Sequence, residues 1–220
     1  VLLSVIIPVF NEKKHIEAIL ERIKAVEIEK QIIVIDDLST DGTRDLIEQR
    51  KDITVLLHPR NLGKGAAIRT GLRHVQGDIT IIQDADLEYS PEDYHHLIEP
   101  ILNQQTRVVY GSRILGRGCF LPHSYLANRF LTCLTNVLYR AHITDMETCY
   151  KMLETDILKN LGLISNRFEI EPEITCKILK RRERIIEIPV AYTGRREGKK
   201  IGIPDGIQAI WNIIKWKFRQ

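Results

Sequence analysis

The chain is poor in cysteine, with four in 220 residues at positions 119, 133, 149 and 176, and no two form a CxxC pair. Neither a disulfide framework nor a zinc site is expected. The thiols at 133, 149 and 176 sit among apolar neighbours in helical patterns and read as small buried groups. No apolar run reaches the roughly 18 residues that a spanning helix needs. The opening run VLLSVIIPVF lacks a basic leader and a small-residue cleavage site, so it reads as a buried strand and not as a signal segment. Net charge is only +3, too small to argue for nucleic acid. Internal repeats and low-complexity tracts are absent.

Charge is unevenly spread. Residues 193–220 carry seven basic and two acidic side chains, a net +5, which leaves −2 for the first 192 residues of a chain at +3. A basic tail on a mildly acidic body points to an anionic partner near that end.

The first half alternates between apolar runs and helical periods. Leu3 to Val9, QIIVIDD, ITVLLH, DITIIQ and RVVYGSR read as strands. NEKKHIEAILERIKAV, with Asn11 as its cap, STDGTRDLIEQR and NLGKGAAIRTGLRHV read as the intervening helices. This alternation predicts a parallel α/β sheet. The rhythm changes after 112. Residues 114–123 form a loop, and Tyr125–Tyr139 an amphipathic helix with Leu126, Phe130, Leu134, Val137 and Leu138 near one side. Residues 144–158 give a polar turn and a short helix. EIEPEITCKILKRR is a helix, IIEIPVAY a strand, TGRREGKKIGIPDG a loop with four glycines, and IQAIWNIIKWKF a closing helix. One compact domain is expected over 1–220, with a soft boundary near 112.

Acidic residues stand at two strand ends, Asp36/Asp37 and Asp84/Asp86. Ligands of open parallel sheets bind beyond the carboxyl ends of the strands. Two carboxylates held together repel, and desolvation adds to the cost. A hard divalent cation such as Mg²⁺ or Mn²⁺ relieves both, commonly sharing its oxygens with substrate phosphates. NLGKGAAIRTG fails the P-loop and the dinucleotide spacings. Its Gly63 and Gly65 still permit close backbone approach at a helix start, with Lys64 as a contact to a bound donor. RFEIEPEI groups Glu169, Glu171 and Glu173. One of these, or Asp145, would be the general base for a hydroxyl acceptor, whereas a phosphate acceptor needs positive charge instead. His58, beside Pro59, reads as a loop residue.

Nine segments, taken in order, resemble the family 2 glycosyltransferases of GT-A fold: VIIPVFNE, VIDDLSTDGT, NLGKGAAIRTG, GDITIIQDADLEYSP, YGSR, TDMETCYK, RFEIEPEI, EIPVAY and GRREGKK. The likeness is greatest to the branch that loads sugars onto polyprenyl phosphates, such as dolichyl-phosphate mannosyltransferase. It implies a Rossmann-like, mostly parallel sheet flanked by helices. Residues 1–112 would form the nucleotide-sugar half, 113–192 the acceptor half, and 193–220 a basic loop with an amphipathic helix. The implied donor contacts are Pro8, Phe10, Glu12, Asp36, Asp37, Lys64 and Asp84, with the metal on Asp86 and Arg113 meeting phosphate. The acceptor phosphate would meet Arg129, Arg195, Arg196, Lys199 and Lys200.

The activity implied is inverting transfer of a hexose from a UDP- or GDP-sugar to undecaprenyl or dolichyl phosphate. The setting would be the cytoplasmic face of a membrane, held by the membrane surface or a membrane subunit, with no nucleic acid partner. The alternatives are transfer to a saccharide or cell-wall hydroxyl, and sugar-nucleotide binding without turnover. One departure stands out: Leu38 follows the paired aspartates where the family often has glycine.

Overall fold

A computed structural model of the chain describes residues 1–195 and 203–219. The first Val/Ile runs become β1 (Leu3–Val9), β2 (Lys30–Asp36), β3 (Thr54–Leu57) and β4 (Ile79–Ile82). They are mutually parallel and lie side by side in the order β3-β2-β1-β4. The crossovers are α1 (Ile16–Ala25), α2 (Thr43–Glu48) and α3 (Lys64–Leu72). After β4 come α4 (Tyr94–Leu102), β5 (Val108–Ser112), α5 (Pro122–Tyr139), β6 (Lys151–Glu154) and α6 (Thr155–Asn160). The chain continues through α7 (Ile170–Lys180), β7 (Ile185–Pro189) and α8 (Ile203–Phe218). Among the described residues the sheet has seven strands in the order β3-β2-β1-β4-β6-β5-β7, the mostly parallel arrangement that the resemblance implies. The main core lies on both faces of this sheet, built from fully buried side chains such as Ile6, Ile33, Ile81 and Val109.

Three local expectations are corrected. The 144–158 stretch holds a strand as well as a helix. β6 runs antiparallel between β4 and β5 and carries the fully buried Lys151. A lysine inside a four-residue strand hides the alternation by which strands are read. Asn11 does not cap α1. It adopts a left-handed conformation (φ 53°) and its side chain accepts the Thr40 amide at 2.8 Å. The Glu12 carbonyl accepts the His15 and Ile16 amides instead, and α1 starts at Ile16.

The third correction concerns α5, whose apolar residues are split between two faces: Leu134 and Leu138 pack against a core as expected, but the rest of the expected row faces outward. Its buried residues are Asn128, Leu131, Thr132 and Thr135, whereas Leu126, Phe130 and Val137 are 67%, 58% and 72% exposed. Cys133 lies on the same outer face, so of the three thiols expected inside only Cys149 and Cys176 are buried. Cys149 precedes β6 in an irregular segment and is not helical. A second core of Leu131, Ile143, Met146, Cys176, Ala209, Ile213 and Trp216 joins α5, α7 and α8. No helix among the described residues is long and apolar enough to cross a membrane.

Candidate active site

Strand β1 feeds β2 on one side and pairs with β4 on the other, so a crevice opens at the carboxyl ends of β1 and β4. The β1–β4 ladder ends at Ile6↔Ile82, while β1 continues beside β2 to Val9↔Asp36. Pro8 lies past that last β4 partner, where its missing N–H interrupts no bond to β4. Pro8 and Phe10 are half-buried at the crevice and Glu12 is buried.

The carboxylates of Asp36 and Asp37 are both engaged within the chain. Asp36 accepts the Ser39 amide at 3.2 Å and the Arg44 Nε at 2.7 Å. Leu38 takes a left-handed conformation (φ 66°) at this turn, which is where glycine is the unstrained choice. Asp37 meets His58 Nδ1 at 2.7 Å and accepts the Leu62 and Gly63 amides at 2.8 and 2.7 Å. His58, read from sequence as a loop residue, is buried and ties Asp37 to Thr70 of α3. The two aspartates therefore build the crevice wall.

The glycines before α3 also serve the chain. A Cβ at Gly65 would lie 2.5 Å from the Ser165 carbonyl oxygen and 2.9 Å from the Asn166 carbonyl carbon, and one at Gly63 would collide with the Asn166 carbonyl. Close approach is needed, but by the 165–167 backbone rather than by a ligand. Gly65→Ala should cost about 1–3 kcal/mol through overpacking, read as a lower urea midpoint at unchanged slope.

β4 stops at Ile82, so Asp84 and Asp86 stand in the turn beyond it and not in an extended segment. They are still neighbours, because the charge of Asp84 acts on Asp86. Lys64 Nζ lies 2.8 Å from Asp84 and 3.0 Å from Glu171, and Glu171 meets Lys151 at 2.7 Å. A buried alternation of charges thus joins α3, the β4 turn, α7 and β6.

Asp86 has less compensation. Burial first, then the charges of Asp84 and Glu88, push its carboxyl from 3.8 up to about 7. Among the described residues the cation paired with it is Arg195, whose Nη2 is 3.7 Å from Asp86 and 2.7 Å from Glu12 and whose Nε is 4.0 Å from Glu88. Tyr192 donates to Glu88 Oε2 at 2.7 Å. Among the described residues no three His, Cys, Asp or Glu side chains converge into a ready metal cage. The donor set nevertheless suits a hard cation that takes one or two carboxylates and draws its other oxygens from a substrate diphosphate. A guanidinium sits on that acidic cluster, and the carboxylate with the most unrelieved charge is Asp86.

The acceptor-side residues are dispersed. Arg113 is buried and paired with Asp145 at 2.7 and 2.8 Å, beneath the rings of Phe120 and Tyr192. Arg129 is exposed on α5. Arg195, expected at the acceptor phosphate, lies instead on the acidic cluster. Arg196, Lys199 and Lys200 lie outside the described residues.

None of the acids weighed as a general base is available. Asp145 holds Arg113 and Asn128. Glu171 holds Lys64 and Lys151. Glu173 accepts the Ile164 and Ser165 amides and pairs with Lys177, and Glu169 accepts the Asn166 and Arg167 amides. Glu147 is a further acid beside these. Its Oε1 is buried with no hydrogen-bond partner among the described residues. Burial, against the pull of Lys151, raises its carboxyl from 4.5 to about 7. A second acidic position two residues after Asp145 is the only trace of it in the sequence.

Sheet order and crevice together are those of the GT-A fold. The glycosyl transferase family 2 model matches residues 4–162, and the chain belongs to that family. It is 30% identical to the undecaprenyl-phosphate 4-deoxy-4-formamido-L-arabinose transferase of Aeromonas hydrophila, over 97% of this chain and 67% of that protein. It is 28% identical to the low-salt glycan biosynthesis hexosyltransferase Agl6 of Haloferax volcanii, over 97% of this chain, and spans about half (52%) of that relative. Among solved structures it resembles glucosyl-3-phosphoglycerate synthase of Mycobacterium tuberculosis in complex with Mn²⁺, UDP and phosphoglyceric acid. The TM-score there is 0.78 at 18% identity, covering 98% of this chain and 78% of the other.

Proposed function

We propose that the chain moves a hexose from a UDP- or GDP-linked sugar to a phosphate-bearing acceptor, with Mg²⁺ or Mn²⁺ held at Asp86, and that the acceptor is a polyprenyl phosphate at a membrane surface. The observation that carries this is Asp86 itself, a carboxyl displaced to about 7 at the mouth of the crevice beside two other acids. Such a group is costly unless a cation completes it. A bound divalent cation supplies the positive charge that stabilises a diphosphate leaving group.

The chain's own residues do the rest. Pro8, Phe10 and the wall tied by Asp36 and Asp37 hold the nucleotide. Asp84, fixed by Lys64, orients the donor sugar. A polyprenyl phosphate oxygen is already anionic and attacks the anomeric carbon in one inverting displacement without a base. The engagement of Asp145, Glu171 and Glu173 in ion pairs fits that chemistry. Much of the acceleration comes from placing two anions in line and screening their charge. The name of the Aeromonas relative agrees with such an acceptor.

A second reading, transfer to a hydroxyl of a soluble phosphate or glycan, is favoured by Glu147. The Mycobacterium structural neighbour holds phosphoglyceric acid, and the Haloferax relative is named for glycan synthesis; both agree with it. Glu147 would be its base, since a free carboxylate oxygen with a pKa near 7 suits proton abstraction.

Radiolabelled UDP-glucose, UDP-GlcNAc and GDP-mannose, each offered with polyprenyl phosphate or 3-phosphoglycerate, separate the two. With a lipid acceptor, Glu147→Gln should keep transfer within about threefold. With a hydroxyl acceptor it should lose on the order of 10²–10⁴-fold, and the wild-type rate should rise with pH through about 7. Label that enters neither acceptor class with any donor refutes both readings.

A further inference from the structure

Gln83 stands between β4 and the turn that carries Asp84 and Asp86. Its amide donates to the Ile6 carbonyl of β1 at 3.0 Å, and its side chain is fully buried. Both ends of that side chain are engaged. Oε1 accepts the hydroxyls of Tyr94 and Tyr150 at 2.6 and 2.7 Å, and Nε2 donates to the Asp84 carbonyl at 2.8 Å. A backbone carbonyl can only accept, so the partners fix which end of the amide faces which side. The two tyrosines are fully buried as well, Tyr94 at the start of α4 and Tyr150 just before β6.

Three polar side chains inside an apolar core need a reason. Apolar groups of the same shape would be about as stable, so what a satisfied polar network adds is a single defined arrangement. What is defined here is the Asp84–Ala85 peptide. It lies past the end of β4, and the Gln83 side chain holds its carbonyl. The chain then turns through Leu87 in a left-handed conformation (φ 62°), with the Glu88 amide donating to Asp86 Oδ1 at 3.2 Å. The far end of the turn is tied to the same aromatic group. Tyr192 donates to Glu88 Oε2 at 2.7 Å, and the Tyr89 ring lies 4.4 Å from that of Tyr150 and 5.2 Å from that of Tyr192. The turn is therefore pinned at Gln83 and at Glu88, with both aspartates in between.

We infer that Gln83 is a positioning residue for sugar transfer: anchored by Tyr94 and Tyr150, it sets the peptide after Asp84 and thereby the placement of Asp84 and Asp86 at the crevice. It acts through the two aspartates, and the inference rests on the roles proposed for them above. Misplacing a reacting group by about 1 Å can cost on the order of a hundredfold in rate, so a lost anchor should show in the site well before it unfolds the chain.

The test compares Gln83→Met, close in volume but without the amide, with Thr80→Val. Thr80 is three residues earlier on β4, fully buried, and its hydroxyl meets that of Thr155 at 2.8 Å. Both variants lose buried hydrogen bonds and should lower the urea midpoint. Only Gln83→Met should move the site. In calorimetry with Mn²⁺ present, its dissociation constants for UDP and GDP should rise about tenfold where the wild type binds. Its kcat at saturating Mn²⁺ and donor should fall roughly 30–100-fold. Thr80→Val should hold both within about twofold. Tyr94→Phe with Tyr150→Phe keeps the amide but removes its anchors, and should repeat the pattern at roughly three- to tenfold; it carries the test if Gln83→Met yields no folded protein.

Wild-type binding and kcat in Gln83→Met, or equal losses in Gln83→Met and Thr80→Val, overturn the positioning role and leave the cation reading of Asp86 standing. A wild type that binds UDP and GDP no more tightly with Mn²⁺ than with EDTA overturns the cation reading itself, and the role of Gln83 falls with it.

Discussion

Asp86→Asn should lose about a thousandfold or more in sugar transfer and at the same time make the metal-free fold more stable. The activity loss follows from removing the carboxylate that would complete a cation under the donor diphosphate. The gain in stability follows from the state of Asp86 in the fold. Its pKa lies at about 7 instead of 3.8, because of burial first and then the charges of Asp84 and Glu88. A carboxyl with a raised pKa binds its proton more tightly in the folded chain than in the unfolded one. The penalty for ionising it is therefore absent below about 4, grows between about 4 and 7, and is complete above that.

Asparagine keeps an acceptor for the Glu88 amide, which Asp86 Oδ1 accepts at 3.2 Å, and removes the charge. At pH 8 the variant should exceed the wild type by on the order of 2–4 kcal/mol in urea, with the difference vanishing near pH 4. Mn²⁺ with UDP should raise the wild-type melting temperature and leave that of the variant unmoved. Transfer retained within about tenfold, or a variant less stable at pH 8, would remove Asp86 from the proposed role.

Much of this is legible in the sequence. The Val/Ile runs of β1, β2 and β4 are buried on both faces, so they read as strands without reference to partners. The acids at their ends followed from the rule that crevices form there. What stayed hidden depends on residues far apart in sequence. His58 holds Asp37 from 21 positions away, and Arg113 pairs with Asp145 across 32. Nothing local distinguishes such tied side chains from free ones, so the partners that fix Asp37 and Arg113 are invisible in the sequence. β6 was obscured for a related reason, because its buried lysine is satisfied by a glutamate on α7. α5 misled in the opposite sense. Its apolar period was visible, but periodicity names a face and not the side of the molecule it meets.

Lys64→Met tests whether the charge alternation behind the crevice is structural, functional or both. Lys64 is 13% exposed and bridges Asp84 and Glu171. Burial alone would lower its pKa, but the charges of Asp84 and Glu171 outweigh it and hold the ammonium well above 10.5. A raised lysine contributes its stability in full below its unfolded value and loses it only as pH climbs through the folded one, so the contribution is complete at neutral pH. Removing the ammonium leaves Glu171 with Lys151 but strips Asp84 of its partner. Breaking a buried pair costs about 3–5 kcal/mol, and the partial exposure of Asp84 brings the expected loss to roughly 2–4 kcal/mol.

A second substitution resolves the roles. In Lys64→Met with Asp84→Asn the orphaned charge is gone, and most of the lost stability should return. Activity should not return with it, because the group that orients the donor is still missing. The expected signature is a recovered urea midpoint with donor KM raised and kcat depressed in both variants. Recovery of stability and transfer together would reduce Lys64 and Asp84 to a packing pair and leave the donor to be held by Asp86 and the β1 end alone.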